Sequence, residues 1–274
     1  MSRPSPHRQP PGQLPGSEVV ELERYGHAAV LTLSRPEVLN AVNAEMSLRA
    51  GEALEEIDGD PGLRVAIITG RGRAFCAGAD LKALAAGERS QPPRPAWGFC
   101  GITQHVISKP LIAAVNGLAH GGGLEIAMSC DLVIASEQAT FGLPEVKRGI
   151  IAGAGGLVRL AGQIPPRLAM EIALTGDPVS APRAADLGLV NAVVDPARLM
   201  DEALALAGRI AANAPLAVQA SKRVLQRVVA GARADEALGW ALTSMEAAAL
   251  RTSEDAREGP RAFAEKRDPV WTGR

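Results

Sequence analysis

The sequence predicts a mixed α/β fold, and three observations lead to it. Apolar runs of strand length recur at 28–33, 65–69, 111–115 and 132–135. Such runs pass into turns, with Gly70 after 65–69 and Asn116-Gly117 after 111–115. Elsewhere apolar residues return at helical spacing, most clearly Met46, Ala50, Ala53, Leu54 and Ile57. Strands and helices in alternation along one chain define the α/β class.

Taken in order, residues 1–17 are rich in Pro, Gly, Ser and Gln and hold no apolar run, so a flexible tail is expected there rather than a signal peptide. Val20 and Leu22 alternate with Glu21 and Glu23, and 28–33 follows Gly26, which predicts two strands joined by a tight turn. Arg35-Pro36 ends the second strand. Asn43 is suited to cap the helix that follows, and Gly59-Asp60-Pro61 stops it. The next strand is 65–69. Residues 87–101, with Pro92, Pro93, Pro95 and an isolated Trp97, read as a loop. Beyond Gly162 the pattern turns helical at 166–174 and 181–187, and a short strand at 191–194 precedes Ala-rich helices up to about residue 250. The predicted division is a tail at 1–17, a core domain at 18–195 and a C-terminal helical region at 196–274.

Composition narrows the partners. The chain has 274 residues, 47% of them hydrophobic, enough for a sizeable core that must be aliphatic because aromatics make up only 3%. A net charge of -1 without a basic block gives no footprint for nucleic acid or an anionic membrane surface and favours a small-molecule partner. No apolar run is long enough for a membrane span. Cys76, Cys100 and Cys130 are an odd number without metal-type spacing, so reduced thiols in a cytoplasm are expected and no metal site. None of the four histidines completes a recognisable Cys-His arrangement, so Cys76 reads as a small buried residue, not a nucleophile.

The chemistry concentrates in 109–160. The run 111–115 breaks at Asn116-Gly117, and Gly121, Gly122 and Gly123 then lead into a helical segment at 124–130. Consecutive glycines allow close backbone approach, and the first amides of a helix point outward unpaired, so the layout suits a developing oxyanion. Glu125 falls in the first turn of this helix, and Glu145 follows the strand 132–135 and the turn Phe141-Gly142-Leu143-Pro144. Each Glu alone has a plainer explanation as an acidic residue at a helix start.

In combination these signals resemble the crotonase superfamily. Its enoyl-CoA hydratases carry A-V-N-G, G-G-G-x-E, C-D, F-G-x-P-E and G-A-G-G in that order, and all five occur here at 114–117, 121–125, 130–131, 141–145 and 153–156. Upstream, RAFCAGADL at 73–81 resembles the family's F-x-A-G-x-D-L loop. The resemblance runs from about Val19 to the C-terminus. It implies a spiral of strand-strand-helix units with a C-terminal helical region that builds trimers, often paired into hexamers. It also implies an acyl-CoA thioester substrate, with coenzyme A as part of that substrate and no separate cofactor.

By the same resemblance the amides of Ala77 and Gly122 form the oxyanion hole. Glu125 acts on the nucleophilic water and Glu145 supplies the proton to Cα, giving syn hydration of a trans-2-enoyl-CoA. Leu39, Ala41, Gly78, Ala79, Asp80, Leu81, Lys82, Gly121, Pro144 and Gly153 are expected to border the substrate, and Lys222 to lie near the coenzyme A phosphates. Trp97 and Phe99 are candidates for the acyl pocket. Enoyl isomerases often keep only the residue at the Glu145 position, and dienoyl isomerases and dehalogenases place a carboxylate near Gly153, so the two Glu residues favour hydration.

The segments 63–70, 81–83, 143–145 and 258–274 are similar to the carnitinyl-CoA dehydratase (crotonobetainyl-CoA hydratase) subgroup. Three positions depart from it: Ala79 stands in place of a Trp, Gly153 in place of an Asp, and His120 in place of an apolar residue. Isomerisation, thioester hydrolysis, and an acyl-CoA-binding or RNA-binding scaffold without turnover are the alternatives.

Overall fold

The structure is a computed structural model that describes residues 12–13, 18–85, 94–229 and 232–274. The tail expected at 1–17 lies outside these residues except for strand β1 (Gly12–Gln13), as does 87–93 of the expected loop. β1 departs from the expectation of a tail without structure. It pairs antiparallel with β2 (Val20–Tyr25), Gly12 opposite Arg24, because the outer edge of β2 otherwise presents unpaired backbone groups. β2 turns at Gly26, which takes φ +60, into β3 (Ala28–Leu33), with Val20 opposite Leu33.

Helix α1 (Ala44–Gly59) starts where the Asn43 side chain accepts a 2.9 Å hydrogen bond from the Met46 amide, and it buries Met46, Ala50, Ala53, Leu54 and Ile57 as its spacing predicts. Three successive units follow, each a long strand, a short strand and a helix. The first is β4 (Val65–Gly70), β5 (Ala74–Cys76) and α2 (Leu81–Ala85). The second is β6 (Leu111–Val115), β7 (Leu118–His120) and α3 (Gly122–Ser129). The third is β8 (Leu132–Ser136), β9 (Thr140–Gly142) and, after a one-turn helix Pro144–Arg148, α4 (Gly156–Gln163).

The chain continues through α5 (Pro166–Thr175), β10 (Val179–Ser180), α6 (Ala181–Asp186), β11 (Ala192–Val194), α7 (Leu199–Ala211) and α8 (Pro215–Leu225). A short hairpin of Val228–Val229 with Ala232–Arg233 leads to α9 (Ala237–Leu250) and α10 (Glu254–Glu265).

The long strands form a sheet in the order β1-β2-β3-β4-β6-β8-β11, parallel from β3 onward. The short strands form a second sheet in the order β10-β9-β7-β5, in which β5, β7 and β9 are parallel. Both faces of the large sheet are covered, which is why its strands read as continuous apolar runs. Ala66, Ile68, Ala113 and Val115 point into the main core, whereas Val65, Ile67, Ile112 and Ala114 meet α7 through its small residues Ala203, Ala207 and Ala211. Each unit thus delivers one loop from a short strand to a common region. No helix among the described residues is long and apolar enough to cross a membrane.

Candidate active site

The glycine nest forms because β7 ends against β9. The Gly121 amide donates to the Gly142 carbonyl at 2.8 Å, Gly121 takes φ +55, and α3 begins at Gly122. Side chains are excluded here by close packing. A Cβ on Gly123 would collide with the Cys76 carbonyl, and one on Gly122 with the Phe99 ring. Gly78, at φ +92, brings the 77–80 loop up to the nest, since its Cβ would lie 3.0 Å from the Gly122 nitrogen. Two loops therefore meet backbone to backbone.

Glu125 is 2% exposed, one turn into α3. Its Oε1 accepts 2.7 Å and 2.8 Å hydrogen bonds from the amides of Ala154 and Gly156, the latter being the first residue of α4. Burial pushes its pKa up to about 7, while the two amides and the Arg159 charge hold it down. Glu145 sits in the one-turn helix behind Pro144, and its Oε2 is buried with no hydrogen-bond partner among the described residues. Burial, and then the charge of Glu125, push Glu145 up to about 8. A Cβ on Gly121 would lie 2.8 Å from Glu145 Oε1, which places this carboxyl against the nest.

Both carboxyls border one cavity of about 780 Å³, together with Ala77, Gly78, Ala79, Leu81, Gly121, Gly122, Pro144 and Gly153. Most of the residues expected to border the substrate are therefore brought together. The strand residues in its wall, Leu118 and His120, come from β7 of the short-strand sheet.

A family model described as enoyl-CoA hydratase/isomerase matches residues 23–274. The chain belongs to the enoyl-CoA hydratase/isomerase family. It is 44% identical over 262 residues to a carnitinyl-CoA dehydratase of Salmonella enteritidis, covering 94% of this chain and all of that one. The crystal structure of a carnitinyl-CoA hydratase from Mycobacterium avium superposes with a TM-score of 0.92 at 52% identity, over 94% of this chain and all of that one. An enoyl-CoA hydratase from Mycobacterium tuberculosis gives 0.74 at 45% identity, with the same coverage. The spiral of strand-strand-helix units is accordingly the crotonase fold of this enoyl-CoA hydratase/isomerase family.

In this family member several expectations need correction. The Ala77 amide is taken up by the Leu39 carbonyl at 3.0 Å, so it is not free for a substrate oxygen. Parity explains why. Val42 bridges Ala79 through hydrogen bonds to the Gly78 carbonyl and from the Asp80 amide, which turns the Ala79 N–H away from Val42. The amides of Ala79 and Gly122 make no hydrogen bond among the described residues.

Leu39, Ala41 and Asp80 support this loop and do not border the cavity. Arg35 donates to the Ala41 carbonyl at 2.6 Å and pairs with Asp80 at 3.0 Å, while Asp80 Oδ1 caps α2 through the Lys82 and Ala83 amides. Buried Asn40 pins the loop to the β5 carbonyls of Ala74 and Phe75. Lys82 itself is exposed. Lys222 lies away from the cavity: only 9% of its side chain is exposed, it pairs with Asp131 at 2.8 Å, and it donates to the Lys109 carbonyl at 2.7 Å.

Trp97 also points elsewhere. It packs against Gly51 of α1, donates to Glu55 at 3.2 Å and stacks on His105 with ring centroids 5.0 Å apart. Phe99 and His120 do border the cavity. Burial lowers the His120 pKa, and its Nε2 lies 3.1 Å from Thr140 Oγ1. The three cysteines are buried, and burial pushes the Cys76 thiol up to about 12.

Sequence reasoning missed one wall, made by Arg148 and by Trp240, Thr243, Arg251 and Phe263 from the C-terminal helices. Arg148 stacks over Phe263 at 4.6 Å. Helix α10 is pressed onto the turn that holds Glu145, since a Cβ on Gly259 would collide with the Arg148 carbonyl and one on Gly149 with that of Asp255. Helical periodicity marks such residues as surface or core and gives no hint that they close a cavity.

Proposed function

We propose that the chain adds water in syn fashion to the double bond of a trans-2-enoyl-CoA thioester, and in reverse dehydrates a 3-hydroxyacyl-CoA. The observation that carries this is the pair Glu125 and Glu145, two buried carboxyls on one cavity beside unengaged backbone amides. The thioester oxygen is assigned to the amides of Ala79 and Gly122. Their hydrogen bonds draw charge onto the oxygen and make Cβ electrophilic, with each such donor worth on the order of 3 kcal/mol of barrier.

The two environments support the division of labour between the carboxyls. Glu125, held down by two amides, ionises before Glu145 and takes the proton from water as it attacks Cβ. Glu145, pushed higher, keeps its proton and delivers it to Cα. A single water held between the two completes the arrangement. Coenzyme A belongs to the substrate, and no separate cofactor takes part. Arg148 and Arg251 on the cavity wall are cations suited to its phosphates, in place of Lys222.

For the acyl group the reading is 4-trimethylammoniocrotonyl (crotonobetainyl), because relatives at 44% and 52% identity are named for carnitinyl-CoA. Exposed Leu216, Val224 and Leu225 on α8, with Leu238, Leu242 and Met245 on α9, support assembly as a homotrimer or a dimer of trimers. Three buried free thiols suit a cytoplasm. The test is loss of enoyl-thioester absorbance with crotonyl-CoA and crotonobetainyl-CoA. Hydration of either supports the reading, and binding without turnover of both would overturn it.

A further inference from the structure

In a crotonobetainyl thioester one methylene separates the attacked Cβ from the quaternary nitrogen. Whatever recognises that cation must therefore stand beside the carboxyl pair. A quaternary ammonium has no N–H to donate, so its partners are aromatic faces and carboxylates. Aromatic residues make up only 3% of this chain, yet Phe99, Trp240 and Phe263 all border the one cavity. Phe263 is 46% exposed and stacks with Arg148, which puts it at the outer part of the wall. Phe99 lies against Gly122.

Trp240 is tied to the Glu125 end. A Cβ on Gly155 would lie 3.0 Å from Trp240 Cη2, so the benzo edge of the indole rests on this glycine. The next residue, Gly156, donates its amide to Glu125 at 2.8 Å. The ring is also fixed from behind. Its Nε1 donates to Glu236 Oε2 at 3.0 Å, and Glu236 grips Arg159 through two 2.9 Å hydrogen bonds. Arg159, 6% exposed, lies 5.6 Å from the ring centroid. Glu236 is shared between Arg159 and Arg233, the latter at 3.5 Å, and Arg159 Nη1 is buried without a partner among the described residues, so the indole backs onto a cluster of two guanidiniums and one carboxylate.

We propose that Trp240, anchored by Glu236 and seated on Gly155, is the residue through which this chain recognises the quaternary ammonium of a cationic acyl group. The inference rests on the acyl-CoA reading of the same cavity. Ionised Glu125, on the same cavity and proposed to act at the carbon one methylene from the cation, adds to the attraction, whereas a neutral acyl group of the same shape gains neither contribution.

The test uses saturated thioesters that cannot turn over: 4-trimethylammoniobutanoyl-CoA and its carbon isostere 5,5-dimethylhexanoyl-CoA, titrated calorimetrically into the whole protein. Wild type is expected to bind the cationic thioester more tightly. Trp240→Leu should lower the ratio of the two affinities by roughly 5- to 30-fold, the range of a desolvated cation–π contact, and Trp240→Phe should keep most of it. A second measurement needs no variant: the methyl proton resonance of the bound trimethylammonium should move upfield under the ring current.

No affinity preference in wild type, an unchanged ratio in Trp240→Leu, or an unshifted methyl resonance would each overturn the proposal. Hydration of crotonyl-CoA alongside such a result would leave the hydratase reading standing. A Trp240-dependent preference without any hydration would support the cation site and sink the hydratase reading instead.

Discussion

Glu125 Oε1 lies 2.8 Å from the amide nitrogen of Gly156, so the residue proposed as base is also the anchor for the first turn of α4. The same oxygen accepts from Ala154, which leaves Oε2 for water. The Glu145 carboxyl is held down only by its own backbone amide among the described residues, and its Oε2 is unpartnered among them. This asymmetry favours loss of the first proton from Glu125.

The first prediction concerns pH. The pair holds one proton between about 7 and about 8, so kcat/KM for crotonyl-CoA should peak there and decline on both sides. A rate that rises steadily through that window would show that the two carboxyls do not share the work.

Removing either carboxyl should be severe. Glu125→Gln and Glu145→Gln are each expected to reduce hydration at least about 100-fold, measured as kcat, with the circular dichroism of the folded protein retained. Activity within a few-fold of the parent in either variant would exclude the two-carboxyl mechanism.

Stability should move the other way. Glu145 in the folded chain holds its proton up to about 8, against the ordinary 4.5, so the folded state binds a proton that the unfolded chain has released between these values. Its contribution is complete below the ordinary value and is lost as pH rises through 8. Glu145→Gln should therefore be more stable than the parent above that range, by up to about 5 kcal/mol, with the difference closing toward pH 4. Urea unfolding at both extremes would measure it.

Gly122→Ala should act on the oxyanion. The new Cβ collides with the Phe99 ring, and relief of that contact displaces the amide at the start of α3. A loss of about 100- to 1000-fold in kcat is expected, as for removal of one donor. A drop confined to KM would mean that this amide holds the substrate without stabilising the transition state.

Arg159→Met should destabilise the chain by about 3 kcal/mol or more, because it strips Glu236 of its bidentate partner in a poorly exposed position. Denaturant midpoints give the value, and a neutral outcome would show that Arg233, 3.5 Å from Glu236, is partner enough.

Much of the frame was legible in the sequence because strand-length apolar runs and a capped helix follow from local rules. Residues 28–33, 65–69, 111–115 and 132–135 are all strands of the large sheet, and Asn43 caps α1 as its type suggests. Strands β5, β7 and β9 have three residues each, too few for a period to show. The nest and its two Glu residues were visible from glycine spacing and the resemblance. The choice between the Ala77 and Ala79 amides was not, because it depends on which way one bridge to Val42 turns the backbone. The ion pair of Lys222 with Asp131 was not legible either, because a helix lysine gives no sign of a distant partner. Trp240 lies far downstream of the motifs, and only packing brings it to the cavity.

The pressing of α10 onto the Glu145 turn bears on how the protein is made. Ribosomes release chains from the N-terminus, so the large sheet, the nest and Glu125 can all be in place before Asp255 and Gly259 have emerged. The backing for Glu145, the residue proposed as proton donor, is thus synthesised after the core that it completes. A nascent chain able to fold its core should bind thioesters poorly and turn them over hardly at all until α10 docks. Premature stop codons in α10 would then leave a folded but idle product, and not merely a shorter enzyme.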